Sequence, residues 1–201
     1  MKIICIGRNY VNHAKELNNK VPKEPMIFIK PETSINKNDV LQYPSFTKSL
    51  HYELELVLKI SKTGKNIALE EASSYYQEIG LGIDFTARDI QSKCKEKGHP
   101  WEKAKAFDDS ATVGGFENKN KLNLQDVKFQ LQVNGEERQN GRSKDMIFGF
   151  DYLIHYASQF FTLSEGDMIF TGTPEGVGEV NVGDKLVGYL ESEKLLNVLI
   201  N

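Results

Sequence analysis

Two glutamates separated by one residue could bind a cation together. Glu53 and Glu55 flank Leu54 in the stretch His51 to Ile60, where residue types alternate. On a β-strand, such residues project to one face about 6.5 to 7 Å apart, so both carboxylates can approach one ion. If the pair is buried, mutual repulsion and desolvation require a shared proton or a cation. The same pattern also fits the solvent-facing side of an ordinary antiparallel strand.

Asp84 is a third candidate ligand, because it lies at the end of the apolar stretch Ile79 to Phe85, which has the composition of a strand. Oxygen-only ligands favour Mg²⁺, Mn²⁺ or Ca²⁺ over zinc. Three carboxylates in an octahedral shell leave positions for water and for a chelating substrate. The sequence therefore predicts a site for Mg²⁺ or Mn²⁺, at which Ca²⁺ could be an inactive substitute.

A histidine and a glutamate form a second group of chemical interest. His13 and Glu16 are three residues apart on a polar, helix-like stretch that runs to about Leu17. On a helix they share a face, so the carboxylate can orient the imidazole and raise its basicity. Such a pair can activate a water molecule. Taken alone, His13 also fits a solvated helix residue.

The elements that must position these groups are mostly strands, with few helices between them. A turn containing glycine is expected after the segment Trp101 to Phe107, and Asn134-Gly135 predicts a type I′ hairpin turn. Irregular chain is expected from Val21 to Pro44. Strands are predicted at Ile3–Ile6, Met26–Ile29, His51–Ile60, Ile79–Phe85, Lys128–Val133, Met168–Thr171, Lys185–Leu190 and Leu195–Ile200, and helices at Leu69–Gln77 and Thr86–Lys97. A further amphipathic helix that ends before Ser164 is predicted from the helical spacing of Phe150, Leu153, Ile154, Ala157 and Phe160.

Composition limits the classes of function. At 201 residues and 39% hydrophobic content, one core and one domain are expected. The 25 basic and 28 acidic residues are scattered along the chain, so nucleic acid is excluded as a partner. No stretch has the length of a membrane span or of a signal-peptide core. Cys5 and Cys94 form neither a disulfide framework nor a zinc site, which favours the reducing cytoplasm.

Five motifs, in matching order and spacing, resemble the fumarylacetoacetate hydrolase family. The resemblance runs from the first strand to the last. It is closest to the short, single-domain branch that contains acylpyruvate hydrolases and oxaloacetate decarboxylases. The motifs are Gly7-Arg8-Asn9-Tyr10-x-x-His13, Phe28-x-Lys30-Pro31, His51-Tyr52-Glu53-Leu54-Glu55, Asp84-Phe85-Thr86-Ala87-Arg88-Asp89 and Gly172-Thr173-Pro174-x-Gly176-Val177-Gly178.

The resemblance implies an α+β, β-rich fold. It is a mixed-sheet β-roll of the type found in the C-terminal domain of the family, with short flanking helices. Residues 1–201 would form one catalytic domain, in which residues 8–24 include an N-terminal lid helix. The resemblance also implies a homodimer and a Mg²⁺ or Mn²⁺ site at Glu53, Glu55 and Asp84.

Further site residues follow from the same resemblance. It implies a catalytic group of His13, Glu16 and Lys105. A backbone N–H of the Gly172 to Gly178 loop, with the Thr173 hydroxyl, could bind the substrate carboxylate. Taken singly, each basic residue also has a purely structural interpretation. Lys105 could serve as the ion-pair partner of a nearby acid, and Arg88 could serve to brace Asp84. The residues expected around the substrate are Arg8, Arg88, Gln91, Gly172 and Thr173.

The function implied is cleavage of the carbon–carbon bond of an acylpyruvate-type 2,4-dioxo acid by water, or decarboxylation of oxaloacetate. Both reactions would pass through a pyruvate enolate held by the metal. The alternative enzyme is an isomerase or tautomerase of a 2-oxo or 2-hydroxy dienoate from aromatic degradation. The non-enzymatic alternative is a binding module in which the cation serves folding alone.

Overall fold

The computed structural model describes residues 1–16 and 20–201, which form three β-sheets and a few short helices. This architecture confirms the predicted α+β, β-rich fold class. The helices are α1 (Val11–Glu16), α2 (Arg88–Lys97), α3 (Glu102–Lys105) and α4 (Phe150–Phe160). The strands are β1 (Lys2–Gly7), β2 (Met26–Pro31), β3 (Ile35–Asn36), β4 (Val40–Leu41), β5 (Leu50–Tyr52), β6 (Leu54–Ile60), β7 (Tyr76–Asp84), β8 (Thr86–Ala87), β9 (Ala111–Asn118), β10 (Lys128–Val133), β11 (Glu136–Arg142), β12 (Met168–Phe170), β13 (Gly178–Glu179), β14 (Lys185–Leu190) and β15 (Glu193–Ile200).

The largest sheet carries the centre of the molecule, in the order β2-β1-β12-β6-β7-β9-β3. Strand β1 runs parallel to β12, whereas β6 is antiparallel to both β12 and β7. Apolar side chains cover both faces of β6, which is buried along its length apart from Lys59. A strand buried on both faces must satisfy any acidic group that it carries, because water does not reach it.

Two smaller sheets complete the fold, in the orders β11-β10-β14-β15-β4 and β13-β5-β8. One continuous apolar cluster joins the five-stranded sheet to the largest sheet, with Leu131 and Leu196 packed into the same core as Leu54 and Leu81. The predicted hairpin is confirmed, since Val133 pairs with Glu136 across the turn. In that turn Asn134 and Gly135 both have positive φ, of 55° and 85°, as a type I′ turn requires.

The expected glycine-containing turn after Phe107 is wrong, because Gly114 and Gly115 lie inside strand β9. A Cβ atom on Gly114 would lie 2.4 Å from the carbonyl oxygen of Leu195, so the absence of a side chain lets β15 approach closely. Glycine is a strong turn signal in sequence, yet it serves equally where two backbones must come together.

Two predicted helix boundaries also shift, and a third cannot be compared. The predicted helix at residues 69–77 is a 3-10 helix that ends at Tyr75, and β7 begins at Tyr76. The predicted helix from Thr86 starts at Arg88, since Thr86 and Ala87 form a short strand. Helix α1 is described to Glu16, so the end expected near Leu17 lies outside the described residues, as does part of the predicted lid. No helix among the described residues is both long and apolar enough to cross a membrane.

Candidate active site

The three predicted carboxylates meet at the junction of two sheets. Glu53 lies between β5 and β6, Glu55 lies in β6, and Asp84 is the last residue of β7. The backbone N–H of Asp84 donates to the carbonyl oxygen of Glu53 at 2.9 Å, which fixes the two strands against each other. One carboxylate oxygen from each residue lies within 4.8 Å of the others. This spacing allows a single ion to contact all three.

The three carboxylates are buried, with 6% of Glu53, 3% of Glu55 and 1% of Asp84 exposed. The alternative in which Glu53 and Glu55 form the wet face of a strand is therefore wrong. Burying several carboxylates together costs free energy unless cations compensate them. The positions of the basic side chains show which of the three carboxylates are compensated and which one is not.

Lys105 and Arg88 neutralise one side of the cluster. The Lys105 ammonium lies 2.8 Å from Glu53 Oε2, 2.6 Å from Asp84 Oδ2 and 2.6 Å from the Thr86 hydroxyl. Arg88 donates from Nη2 to Glu53 Oε1 at 2.5 Å. Lys105 does pair with acids, as its structural interpretation expects, but the acids are Glu53 and Asp84, two of the candidate metal ligands. Arg88 braces Glu53 rather than Asp84.

Lys30 is a site residue that the sequence reasoning did not assign. Its ammonium is fully buried, 2.8 Å from Asp84 Oδ1 and 2.9 Å from both the carbonyl and the hydroxyl oxygen of Ser110. It also donates to the carbonyl oxygen of Lys105. Lys30 therefore links Asp84 to the backbone that carries Lys105. The signal was available, since a lysine directly follows the apolar run from Met26 to Ile29.

Charge is distributed unevenly among the carboxylates. Burial raises the pKa of Glu55 well above its ordinary value, and the nearby charges of Asp84 and Glu53 raise it further. Burial acts in the same direction on Glu53, but Lys105 and Arg88 outweigh it and hold its pKa below the ordinary value. Glu55 is therefore the carboxylate that is costly to ionise without a further cation.

The donor set fits a hard divalent cation. Among the described residues, Asp84 Oδ1 is a buried oxygen that accepts no hydrogen bond, although the Lys30 ammonium is near. Glu55 accepts a hydrogen bond from the backbone N–H of Gly172 at 2.7 Å, which leaves its other oxygen for an ion. Oxygen donors of this kind suit Mg²⁺ and Mn²⁺. A divalent cation here would stabilise the ionised form of Glu55.

The predicted histidine–glutamate pair lies beside this cluster. His13 is buried, and its Nδ1 is 3.4 Å from Glu16 Oε2. The other oxygen of Glu16 accepts a bond from the backbone N–H of Gly176 at 3.1 Å. Burial lowers the pKa of His13 and outweighs the opposing effect of Glu53 and Glu16. The ring is therefore neutral at pH 7 and is able to accept a proton.

A single cavity collects most of the predicted site residues. It is lined by the three carboxylates, His13 and Lys105, and also by Arg8, Arg88, Gln91 and Thr173. Gly172 was expected to contact the substrate. In the structure its N–H instead donates to Glu55 and so supports a candidate metal ligand. Its φ of 102° suits glycine, and a Cβ atom there would lie 2.6 Å from that of Asn9.

Gln139 is a second residue missed by the sequence reasoning. It is buried and accepts the N–H of Leu54 at 2.9 Å, while its amide donates to the Thr173 hydroxyl at 2.8 Å. A glutamine in a strand with exposed neighbours carries no sequence signal of this role. Its bonds connect Leu54, the residue between the two glutamates, to the loop that carries Thr173.

The fold and the site together define a class of protein. A buried oxygen cluster suited to a divalent cation, next to a neutral histidine in one cavity, is typical of metal-dependent enzymes that move protons on a small substrate. A module that used the cation for folding alone would not require His13 at the same cavity, with Glu16 beside its ring. The comparison with known proteins agrees with this class.

Known proteins resemble this chain over nearly its whole length. The family model for the fumarylacetoacetate (FAA) hydrolase C-terminal domain matches residues 2–197. The oxaloacetate tautomerase YcgM of Escherichia coli is 42% identical over 96% of this chain and 90% of its own length. The mitochondrial oxaloacetate tautomerase FAHD1 of Bos taurus is 42% identical over 92% of this chain and 84% of its own length.

One of the similar proteins of known structure contains a bound metal ion and a bound ligand. Fumarylpyruvate hydrolase from Pseudomonas aeruginosa, in complex with Mn²⁺ and pyruvate, is 37% identical and superposes with a TM-score of 0.92. The match covers 100% of this chain and 89% of that chain. The chain belongs to the fumarylacetoacetate hydrolase family and is an enzyme. The predicted family resemblance and the family-type β-roll are thereby confirmed.

Proposed function

We propose that this enzyme uses a divalent cation, Mg²⁺ or Mn²⁺, to interconvert the keto and enol forms of oxaloacetate. The observation that carries the proposal is the meeting of Glu53, Glu55 and Asp84 within 4.8 Å, in a cavity that His13 and Lys105 also line. The 42% identity to two oxaloacetate tautomerases supports this reaction ahead of hydrolysis and decarboxylation.

The substrate's head group suits such a site. A cation held by Glu53, Glu55 and Asp84 would supply Lewis-acid polarisation of the substrate carbonyl and a binding position for the head group of a 2-oxo acid. Opposing charges of Asp84 and Glu53 raise the pKa of Lys105 in spite of its burial, so its ammonium stays charged. Lys105 can therefore stabilise negative charge as it develops on the keto oxygen.

The proton transfer falls to His13. Its neutral ring accepts a proton from C3 of the keto form, and the C3–H electron pair becomes the C2–C3 double bond while charge moves to the C2 oxygen. The protonated ring then returns the proton to that oxygen, which gives the enol and restores His13. Glu16, at 3.4 Å from Nδ1, orients the ring and stabilises its charged form.

A second candidate function is hydrolysis of an acylpyruvate. It is favoured by a cleft of about 770 Å³ that opens next to the site and shares Met26, Phe28, Trp101 and Lys105 with it. The aromatic side chains Tyr156 and Phe160 also line this cleft. Such a cleft could accept an acyl group, and His13 would then activate water instead of removing a substrate proton.

Catalysis should depend on added cation. With Mg²⁺ or Mn²⁺, the enzyme is expected to accelerate the loss of the ultraviolet absorbance of enol-oxaloacetate. Excess chelator should abolish this activity, because it removes the Lewis acid that would polarise the substrate carbonyl. Acetylpyruvate and fumarylpyruvate, followed by pyruvate release, test the second candidate. A chelator-resistant rate, or no turnover of any of the three acids with either cation, would refute the proposal.

The N-terminal segment is proposed to act as a lid, and ligand binding should reveal it. Helix α1 contacts the loop after β12 through exposed bonds, Asn12 to Glu175 and Gly176 to Glu16, both at 3.1 Å. Amides of residues 11–16 should exchange more slowly with deuterium when Mg²⁺ and oxalate are bound, because closing segments have low local stability. Amides of β6 and β7 provide the internal control. Equal exchange of residues 11–16 in both states contradicts a lid.

A further inference from the structure

The motif Phe28-x-Lys30-Pro31 places two side chains beside Lys105, although neither takes part in the proton transfer. Phe28 and Lys30 are two residues apart on β2, so both project to the same face of the strand. Strand β2 is at the edge of the largest sheet, and helix α3, which ends at Lys105, packs against it. Strand β2 therefore reaches Lys105 with two of its side chains.

The carbonyl group of Lys105 is held by Lys30 and Ser110. Helix α3 has only four residues, and carbonyl groups at the end of a helix have no partner within the helix. The carbonyl oxygen of Lys105 accepts one hydrogen bond from the Ser110 hydroxyl at 2.8 Å and another from the Lys30 ammonium. Lys30 also donates to the hydroxyl oxygen of Ser110 at 2.9 Å. The three groups therefore form a closed set of hydrogen bonds around the backbone of Lys105.

This set of hydrogen bonds is completely buried. Lys30 and Ser110 are both 0% exposed, and Lys105 is 3% exposed. A buried ammonium group costs free energy unless an opposite charge and hydrogen-bond acceptors compensate it. Lys30 has both, because Asp84 Oδ1 lies 2.8 Å from its ammonium and the carbonyl oxygen of Ser110 lies 2.9 Å from it. Losing any of these partners would be costly, so the ammonium of Lys30 is confined to one position.

The other end of Lys105 is held separately. Its ammonium donates to the Thr86 hydroxyl at 2.6 Å and pairs with two of the carboxylates. The centre of the Phe28 ring lies 5.2 Å from the same ammonium, within the range of a cation–π contact. A lysine side chain is a flexible four-carbon stem, so the place of its charge depends on the backbone as well as on the tip.

The position of the Lys105 charge matters for catalysis. Stabilisation of a developing charge depends on groups that are fixed in place before the reaction begins. A displacement of about 1 Å can cost about 100-fold in rate. Helix α3 has no side-chain cap at its first residue and is too short to fix Lys105 by its own hydrogen bonds. Its position must therefore come from neighbouring elements.

We propose that Lys30 and Ser110 are positioning residues, which hold the backbone of Lys105 so that its ammonium meets the charge that develops on the keto oxygen. Neither of the two lines the cavity of the site, so they act through Lys105 and not on the substrate. Phe28 supports the same ammonium from the side of β2. This inference rests on the proposed function, to which the role of Lys105 belongs.

Ser110→Ala tests the proposal with every charge retained. The variant removes the hydroxyl that joins Lys30 to the carbonyl oxygen of Lys105. We expect kcat for oxaloacetate to fall about tenfold, less than a displacement of about 1 Å can cost. Calorimetry gives a second measurement, because oxalate has a charged oxygen where pyruvate has its neutral keto oxygen. The affinity of the Mg²⁺-loaded protein for oxalate should fall by about the same factor, whereas the affinities for pyruvate and for Mn²⁺ should stay unchanged.

Ser158→Ala is the matched control. Ser158 is as fully buried as Ser110, and its hydroxyl also makes two hydrogen bonds, with the N–H of Ile67 and the carbonyl oxygen of His155. This variant should lose comparable stability and keep both kcat and the oxalate affinity. Equal changes in the two serine variants, or an equal loss of oxalate and pyruvate affinity in Ser110→Ala, would show that the Ser110 hydroxyl serves stability alone.

Two variants of Lys30 isolate its bond to Lys105. Lys30→Gln and Lys30→Met remove the same charge beside Asp84, but only glutamine keeps a donor for the carbonyl oxygen of Lys105. At saturating Mg²⁺, Lys30→Met should therefore bind oxalate more weakly than Lys30→Gln. Equal oxalate affinities would show that Lys30 serves Asp84 alone.

A double variant shows whether Ser110 acts through Lys105. Lys105→Gln alone should weaken oxalate binding, and adding Ser110→Ala should weaken it no further, because effects exerted through one residue are not additive. Additive losses would overturn the positioning role. The wild-type protein separates the two levels of inference. If it does not bind oxalate with Mg²⁺, the proposed function fails, whereas oxalate binding and turnover that Ser110→Ala leaves intact overturn the positioning role alone.

Discussion

Replacing Glu55 by glutamine is expected to weaken Mn²⁺ affinity by more than about 100-fold. Loss of groups that only support metal ligands already costs about 10- to 100-fold, and Glu55 would be a charged ligand itself. Turnover of oxaloacetate should be lost with the cation. Calorimetric titration of Mn²⁺ into the wild-type and variant proteins measures the change. Affinity unaltered by the substitution would rule out Glu55 as a ligand.

The same variant should not be less stable without metal. The folded-state pKa of Glu55 is raised, so the metal-free wild-type protein loses stability as the pH rises above the ordinary carboxyl pKa. A neutral amide of the same shape removes this loss. The cation-free free energy of unfolding of Glu55→Gln at pH 7 should therefore equal or exceed that of the wild type. Glu78→Gln, in an exposed pair with Lys59 on the same sheet, is the control that should change neither property.

Substituting alanine for His13 is expected to lower kcat by about 10²- to 10⁴-fold, the usual contribution of a positioned acid–base group. Mn²⁺ affinity should stay unchanged, because His13 lines the cavity without belonging to the carboxylate cluster. Steady-state kinetics and calorimetry on the same preparation separate the two effects. A variant with full turnover would show that His13 has no part in the chemistry.

The pH profile gives an independent measure of the same group. Since burial lowers the pKa of His13, the ring stays neutral below the pH at which a free histidine charges. The acid limb of kcat/KM should therefore fall below about pH 6.5 in the wild type. Glu16→Gln removes a group that favours the charged ring, so it should move this limb to lower pH and reduce kcat less than His13→Ala. An acid limb that persists unchanged in His13→Ala would belong to another residue.

The sequence predicts the ligands of this site better than their environment. The i, i+2 spacing of Glu53 and Glu55 and the position of Asp84 at a strand end follow from local pattern, and the structure brings the three together. Pattern does not reveal that both faces of β6 are buried, since that depends on which sheets pack against it. The wet-face alternative for Glu53 and Glu55 could be rejected only from the fold.

Tertiary contacts decide the remaining differences. The sequence predicts a turn where the structure has strand β9. The prediction fails because the glycines of β9 allow the close approach of β15, a strand that is remote in the sequence. Lys30 and Gln139 act through bonds to Asp84, Leu54 and Thr173, which lie far from them in the sequence, so local pattern does not identify these partners. The helix α4, by contrast, depends on a periodic apolar face, and the spacing of its apolar residues predicts a helix that ends before Ser164, as the structure shows.

The bond between Gly172 and Glu55 joins residues 117 positions apart, and that between Asn9 and Thr171 joins residues 162 positions apart. Contacts so remote along the chain require closure of long loops, which slows folding and makes it cooperative. A nascent or truncated polypeptide that lacks the region after β12 therefore has neither the N–H that supports Glu55 nor the Thr171 carbonyl oxygen that accepts from Asn9. We therefore expect high-affinity cation uptake during refolding to follow docking of the segment after β12, rather than formation of the β6–β7 pair alone.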